Sequence, residues 1–591
     1  MKRLLFEKKH RFYYFSAALV ILISFVAFKF SDDYFELSRN LQIFADVYRE
    51  VNLKYVDPVK PGEVMKRGVD AMLENLDPYT EYIPQSEVED FKMKFINSQY
   101  GGIGALIFQV NNEVIVRDVY EGFPAQKSDV RAGDHILQFN SIKVNSHNSE
   151  QVSEMLKGQK GTQVHLLISR PGLAKPIVKD VVREEIKLAN IPYYGVVQGT
   201  AGYIKLDHFL ENCSSELKNA FLDLRDNQHV TSLILDLRGN GGGILQESVK
   251  IVNFFVDKGQ TIVTQSGRNR QNEIIYKAVN QPLDTHIPLV VLVDKGTASA
   301  SEILSGALQD LERAVVIGQR SFGKGLVQQT IPLSYNTLLK ITVARYYTPS
   351  GRCIQALDYV HRNKDGSVNQ VADSSINEFK TKLGRLVYDG SGIYPDVVTK
   401  PRTYSNILYT LVSKSYLFDY ATLYRNSHAS IGSPATFRLD ENAYQDFLHF
   451  LSTKTYDYTT STEKLMADLK RIAEKEKRFD GIKSEYESLR SKVSHDKRDD
   501  LTKFKPEIRS YLENEIAERY YYQKGRLMCS LSKDPDIDKS ISVLQNNPLY
   551  SNILKGKGLF KVIGKPERPL VSSAQLKVKE SQDSLIVESE K

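Results

Sequence analysis

Ser299 and Lys324, 25 positions apart, are the residues of this chain best suited to bond-breaking chemistry. Ser299 stands in Gly296-Thr297-Ala298-Ser299-Ala300-Ser301-Glu302-Ile303, where small neighbours let a substrate backbone come close. Lys324 stands in Phe322-Gly323-Lys324-Gly325-Leu326-Val327-Gln328, between two glycines. A serine hydroxyl needs a base before it attacks a carbonyl, and a neutral amine can be that base. Free lysine titrates near about 10.4, and apolar burial lowers that value by up to several units. Phe322, Leu326 and Val327 are apolar neighbours in sequence, and Gln328, four residues on, is placed to hold the amine. The pair is coherent if the fold brings amine and hydroxyl within about 3 Å. Ser299 reads as the residue before a helix, so the Ala300 N–H faces outward at the positive helix end as an oxyanion donor. Gly241 or Gly242, in Leu235-Asp236-Leu237-Arg238-Gly239-Asn240-Gly241-Gly242-Gly243, is the second donor expected, because glycine allows close backbone approach.

These groups need a scaffold of strands and loops. Thr231 to Leu237, Ile287 to Val293 and Ala314 to Gly318 read as buried strands. Each is followed by a loop, and helical spacing follows the first two. The pattern predicts a layered α/β core over 179–402 with its site at strand ends. Ahead of it, 97–178 shows short alternating strands, a Pro-Ala helix start and the turn Gly133-Asp134-His135-Ile136. Gly101, Gly102, Ile103 and Gly104 are expected to form a nest of N–H groups that captures a carboxylate beside a strand edge. Residues 34–96 read as two helices broken at Asp57-Pro58 and Pro61-Gly62. Residues 403–570 read as polar helices; the stripe Leu465, Leu469, Ile472, Ala473 is expected in a core or interface, as is Ile508, Leu512, Ile516. This region is open to three readings: docking an adaptor, pairing with a second copy of the chain, or capping the core. Residues 571–591 read as a flexible tail.

The N-terminus points to a membrane. Lys2, Arg3, Lys8, Lys9 and Arg11 precede an uncharged run from Phe12 to Phe28, and the exit at Ala27 to Asp32 is a poor cleavage site. Charge asymmetry then keeps the first residues cytoplasmic and puts the rest outside, with 1–33 as stub and anchor. Of the 591 residues 26% are charged, and the net charge is only +7, spread widely, which leaves no nucleic-acid footprint. Cys213, Cys353 and Cys529 lie far apart, without zinc-ligand spacing.

Other chemistries fit less well. Gly318 to Gly325 nearly spells a phosphate loop, but Gly325 stands where Ser or Thr should meet magnesium. His208 is the nearest core histidine for a Ser/His arrangement, and Asp236 and Asp294 read as strand-end structural residues. Arg238 is expected to pair with a carboxylate, of the chain or of a substrate.

The motifs together resemble the C-terminal processing peptidases, also called tail-specific proteases. The likeness rests on Leu76-Asp77-Pro78-Tyr79-Thr80, on the 97–178 segment, which is similar to a PDZ domain, and on the stretches around Asp236, Ser299 and Lys324. It closes with Tyr346-Tyr347-Thr348-Pro349-Ser350-Gly351-Arg352 and Gly392-Ile393-Tyr394-Pro395-Asp396. The resemblance implies a crotonase-like or ClpP-like core with an inserted PDZ domain. It implies Ser299 as nucleophile, Lys324 as base and Gln328 as the lysine's partner, with no metal or cofactor. It further implies binding of protein C-termini by the PDZ domain and a place outside the bacterial cytoplasm, here an inner-membrane anchor with a periplasmic catalytic part. The polar stretch 357–389 is longer than the family's usual connection and is open to two readings, a lid or a surface loop, of which the loop is favoured. A non-enzymatic rival is a membrane-tethered PDZ scaffold on an inactive fold.

Overall fold

The computed structural model describes residues 34–95, 99–199, 201–268, 273–363, 367–372, 375–493 and 497–565. The expected anchor at 12–28 and tail at 571–591 lie outside the described residues. Among the described residues no helix is long and apolar enough to cross a membrane. The chain divides into two compact units, Met1–Val88 with Gln328–Thr342, and Glu89–Val327 with Val343–Lys591.

In the first unit, residues 34–54 form one helix and Pro61–Glu74 a second, with proline at its first turn, where a missing N–H costs nothing. The Asp77 carboxylate accepts the N–H groups of Tyr79 (2.8 Å) and Thr80 (2.9 Å) and the Thr80 hydroxyl (3.1 Å), so the Leu76–Thr80 motif is a self-capped turn. The turn launches the strand Glu81–Ile83, which pairs antiparallel with residues 338–340, and Lys340 meets Glu81 at 2.6 Å.

In the second unit, five antiparallel strands run in the order Ala105–Val110, Glu113–Val119, His135–Phe139, Gln163–Ser169, Ile177–Val182. Alternate residues Val164, Leu166 and Ile168 are fully buried, as period-two patterning requires. Asp129 takes a left-handed turn (φ 55°), and Arg131, Arg170 and Lys179 hold its carboxylate. Asp tolerates that conformation better than most side chains.

The α/β core is a six-stranded sheet in the order Tyr193–Val197, Ala201–Lys205, Ser232–Asp236, Leu289–Val293, Val315–Gly318, Val397–Val398; the first pair is antiparallel and the others parallel. Its central strands are buried on both faces, and their middles are apolar for that reason. Leu233, Leu235 and Val291 pack on the helices Cys213–Leu222, Leu245–Asn253 and Ala300–Asp310 through Leu217, Ile251 and Leu304. Ile234, Val290 and Leu292 face the other way, onto Ile537, Val543 and Ile553 of the helices Pro535–Gln545 and Asn547–Leu554. The C-terminal region therefore caps the core.

One expectation fails here and one holds in part. The stretch 357–389 is not a plain loop: Leu357–Arg362 pairs with Val368–Gln370 and Glu378–Lys380 with Leu386–Tyr388. In the Leu465/Leu469/Ile472/Ala473 stripe Ala473 is buried, while Leu465, Leu469 and Ile472 are exposed by 69%, 45% and 47%; Met466 is the other residue buried by the helix Ser461–Lys475. Its partner helix Lys483–Val493 is too short and polar to cover both faces. The second stripe behaves as expected: Ile508, Leu512 and Ile516 are fully buried with Leu411 and Phe447.

Candidate active site

Ser299 sits at the tip of the turn between Leu289–Val293 and the helix Ala300–Asp310, with φ 57° and ψ −117°. A non-glycine residue holds such a conformation only when its surroundings over-determine it. Here the surroundings are the Leu237–Gly243 loop. The Asn240 carbonyl accepts from Ala298 N (3.0 Å) and Ser301 Oγ (2.9 Å), the Leu237 carbonyl accepts from Thr297 Oγ1 (2.9 Å), and Asn240 Nδ2 donates to the Leu206 carbonyl (2.8 Å). Asp294 completes the stitching by accepting from Gly239 N and Gly296 N. Asp294 is thus structural, as read from sequence.

The two oxyanion candidates in the glycine loop separate. Gly242 N–H already donates to Asn240 Oδ1 (2.9 Å), which leaves Gly241 as the remaining candidate in this loop. Gly242 instead lets the loop touch the serine turn: a β-carbon there would lie 2.8 Å from Ser299 Cβ and 2.9 Å from Ala300 N.

Lys324 belongs to a loop that leaves the strand Val315–Gly318 and enters the strand Leu326–Pro332. A strand after the lysine is what a phosphate loop does not have, since that motif opens a helix. Gly323 takes φ 87° and packs on Ala356, where a β-carbon would come within 2.3 Å of Ala356 Cβ. Gly325 N–H donates to Gln355 Oε1 (2.8 Å). Leu326 is buried and Val327 packs on the core, but Phe322 is 46% exposed and does not shield the amine as its position in sequence suggested. Gln328 lies in the first unit, where its amide donates to Thr342 Oγ1 at 3.1 Å.

A residue without an assigned role in the sequence joins the serine turn to the lysine loop. Glu302, fully buried, accepts from Ser299 N–H (2.8 Å) and Lys324 N–H (2.9 Å) on one oxygen. Its other oxygen accepts from Ser321 Oγ (2.5 Å) and Gly323 N–H (2.7 Å). Burial pushes this carboxyl above its ordinary value, and the four donors only partly offset that. The serine-x-x-glutamate spacing of a helix capping box was the available signal for the Glu302 contact with Ser299. Nothing in the spacing announced the contact with Lys324.

The closing motifs brace the same elements. Ile393 N–H donates to Ser321 Oγ (2.6 Å). Thr348 Oγ1, Ser350 N–H and the Arg352 guanidinium all converge on Asp310 at the far end of the Ser299 helix. Arg238 pairs within the chain, with Asp236 (2.6 Å), Asp534 (2.9 Å) and Asp536 (2.9 Å). Asp236 is buried, which raises its carboxyl, but Arg238 and Lys205 outweigh burial and hold it below the usual range. His208 lines a cavity of about 300 Å³ with Tyr120, Asp207, Tyr522 and Arg526.

Within the PDZ-like domain, Gly101 and Gly102 lie in the strand Gln99–Gly102, paired with residues 184–187, with Gly101 packed on Gly158. They are therefore strand residues, and the expected nest narrows to the turn at Ile103 and Gly104 (φ 74°). That turn leads into the edge strand Ala105–Val110 beside the helix Ser149–Leu156. Gln109 tethers the helix start through Ser149 N–H (3.2 Å) and the His147 carbonyl (3.3 Å).

Comparison with known proteins agrees with this organisation. Residues 200–360 match Peptidase family S41, 101–178 match a PDZ domain, and 407–544 match the C-terminal helical domain of a probable PDZ-protease. The chain is 34% identical to a carboxy-terminal-processing protease of Bartonella bacilliformis over 348 residues, covering 58% of this chain and 78% of that protein. It is 34% identical to a probable CtpA-like serine protease of Staphylococcus epidermidis over 54% of this chain and 64% of that one. Among solved structures, a photosystem II D1 C-terminal processing protease aligns at 28% identity over 60% of this chain and 86% of that chain, with a TM-score of 0.33. The fold and site define a serine-type peptidase with a PDZ domain. The chain belongs to the carboxy-terminal-processing protease family, peptidase family S41.

Proposed function

We propose that this peptidase cleaves protein substrates with a Ser299/Lys324 dyad while its PDZ domain holds their C-termini. The observation that carries the reading is the single Glu302 oxygen that accepts both the Ser299 and the Lys324 N–H, at 2.8 and 2.9 Å, which sets the two peptides side by side. In this reading the neutral Lys324 amine takes the proton from Ser299 Oγ as that oxygen bonds to the scissile carbonyl carbon. The developing oxyanion is met by the N–H groups of Ala300 and Gly241. The lysine ammonium returns its proton to the leaving amine, and water then releases the acyl group from Ser299. The substrate's C-terminal carboxylate is received at Ile103 and Gly104, and its last residues add to the edge strand Ala105–Val110.

The reading extends to location. The uncharged run Phe12 to Phe28, behind five basic residues, supports an anchor that leaves the catalytic part outside the cytoplasm. The test is cleavage of a protein with an apolar C-terminus by wild type, Ser299→Ala and Lys324→Ala. The dyad predicts loss of cleavage in both variants with binding of C-terminal peptides retained. Cleavage by Ser299→Ala at the wild-type rate would refute it, and absence of cleavage by the wild type would favour the scaffold.

A further inference from the structure

The Glu302 carboxylate holds the N–H side of the two candidate catalytic residues; the C=O side is held by a different group. Tyr346 lies near the end of the strand Leu338–Tyr347 and is 1% exposed. Its phenol oxygen is 2.5 Å from the Lys324 carbonyl and 3.1 Å from the Ser299 carbonyl. Both are acceptors, and a phenol has one proton to give. A three-centre hydrogen bond of this kind requires the two carbonyls to keep a set separation.

The rest of Tyr346 is fixed as well. Its own N–H donates to the Gly325 carbonyl at 3.0 Å, so strand and hydroxyl both grip the lysine loop. Its ring is packed in the cluster that contains Ile303, Ala307, Ile354 and Ile393, on and beside the Ser299 helix. Ser299 itself stands at φ 57°, a conformation that relaxes if its neighbours let go.

We propose that Tyr346 is a positioning residue for catalysis: its hydroxyl registers the peptide of Lys324 against that of Ser299 and so keeps the lysine amine aligned with the serine hydroxyl. The proposal rests on the Ser299/Lys324 reading. It adds a residue that touches neither substrate nor the reacting atoms and acts through both peptides. Misplacing a reacting group by about 1 Å costs about 100-fold in rate. Tyr346→Phe keeps the ring and removes only the hydroxyl.

The test measures kcat, KM and the rate of fluorophosphonate labelling at Ser299 for wild type, Tyr346→Phe and Tyr444→Phe. Tyr444 is the control: it is equally buried and donates to the Leu501 carbonyl at 2.8 Å, but in the C-terminal helical cluster. Tyr346→Phe is expected to lower kcat and labelling by about 10- to 100-fold with KM within about twofold, while Tyr444→Phe leaves both rates unchanged. A kcat for Tyr346→Phe within about twofold of wild type, or a loss expressed only in KM, overturns the proposal.

If the wild type labels at Ser299 and Tyr346→Phe labels equally fast, only the positioning role falls. If the wild type neither cleaves nor labels, the dyad reading falls, and the positioning role with it.

Discussion

Gly242 and Ser299 come from loops 57 residues apart, yet a β-carbon added to Gly242 would lie 2.8 Å from Ser299 Cβ. The same atom would lie 2.7 Å from the Ala298 carbonyl oxygen, and Gly242 holds φ 98°. Gly242→Ala must therefore push the serine turn and pay left-handed backbone strain of about 1–2 kcal/mol. The expected result is a loss of at least about 100-fold in peptide cleavage. The fold should remain, shown by an unfolding midpoint within several degrees of wild type. Full activity in Gly242→Ala would mean that the two loops do not stay in contact.

Arg238 makes the Leu237–Gly243 loop dependent on the C-terminal region. It precedes Gly239 and is gripped by Asp534 and Asp536, about 300 positions later in the chain. Arg238→Gln removes a shared cation from three buried or nearly buried carboxylates, of which Asp236 keeps Lys205 and Asp534 keeps Arg402. Breaking such a cluster on one side costs about 3–5 kcal/mol. Chemical denaturation should register that loss, and proteolytic nicking should begin near Asp534 as the helix Pro535–Gln545 loosens. An unchanged denaturation midpoint would contradict the assignment.

Glu518 gives the junction of the PDZ sheet with the helix Lys505–Leu531 a titration near neutrality. Burial pushes its carboxyl up to about 7. Arg526 and Arg519 on its own helix lower it, while Glu515 on that helix and Asp118 on the strand Glu113–Val119 raise it. Because the folded state holds this proton more tightly than the unfolded chain, the group favours folding most below the unfolded value of about 4.5. Stability then falls as pH rises, until the folded group has titrated at about 7. At about 1.4 kcal/mol per pH unit, the loss is about 3 kcal/mol. Glu518→Gln should flatten the stability profile between about pH 4.5 and 7 in denaturant melts. A slope that survives the substitution would assign the titration elsewhere.

Much of the architecture was legible because it depends on local patterning. The apolar runs at 231–237 and 287–293 are strands buried on both faces, and the helix does begin at Ala300. What was not legible depends on distance in the chain. Tyr346 meets Ser299 across 47 positions and Arg238 meets Asp536 across 298, and no spacing rule announces either. The Leu465 stripe shows the converse limit: helical periodicity reveals that one face is apolar, not whether anything covers it. Gly101 and Gly102 misled for a related reason. Glycine permits a nest, but here close packing against Gly158 is what requires Gly101.

The Ser299/Lys324 dyad requires that the lysine amine activate the serine hydroxyl. Fluorophosphonate labelling followed by peptide mapping measures this directly, in wild type and in Lys324→Ala. The expected outcome is a single adduct on Ser299 in the wild type and labelling slowed by at least about 100-fold without the amine. Equal labelling of both proteins, or an adduct on a different serine, would contradict it.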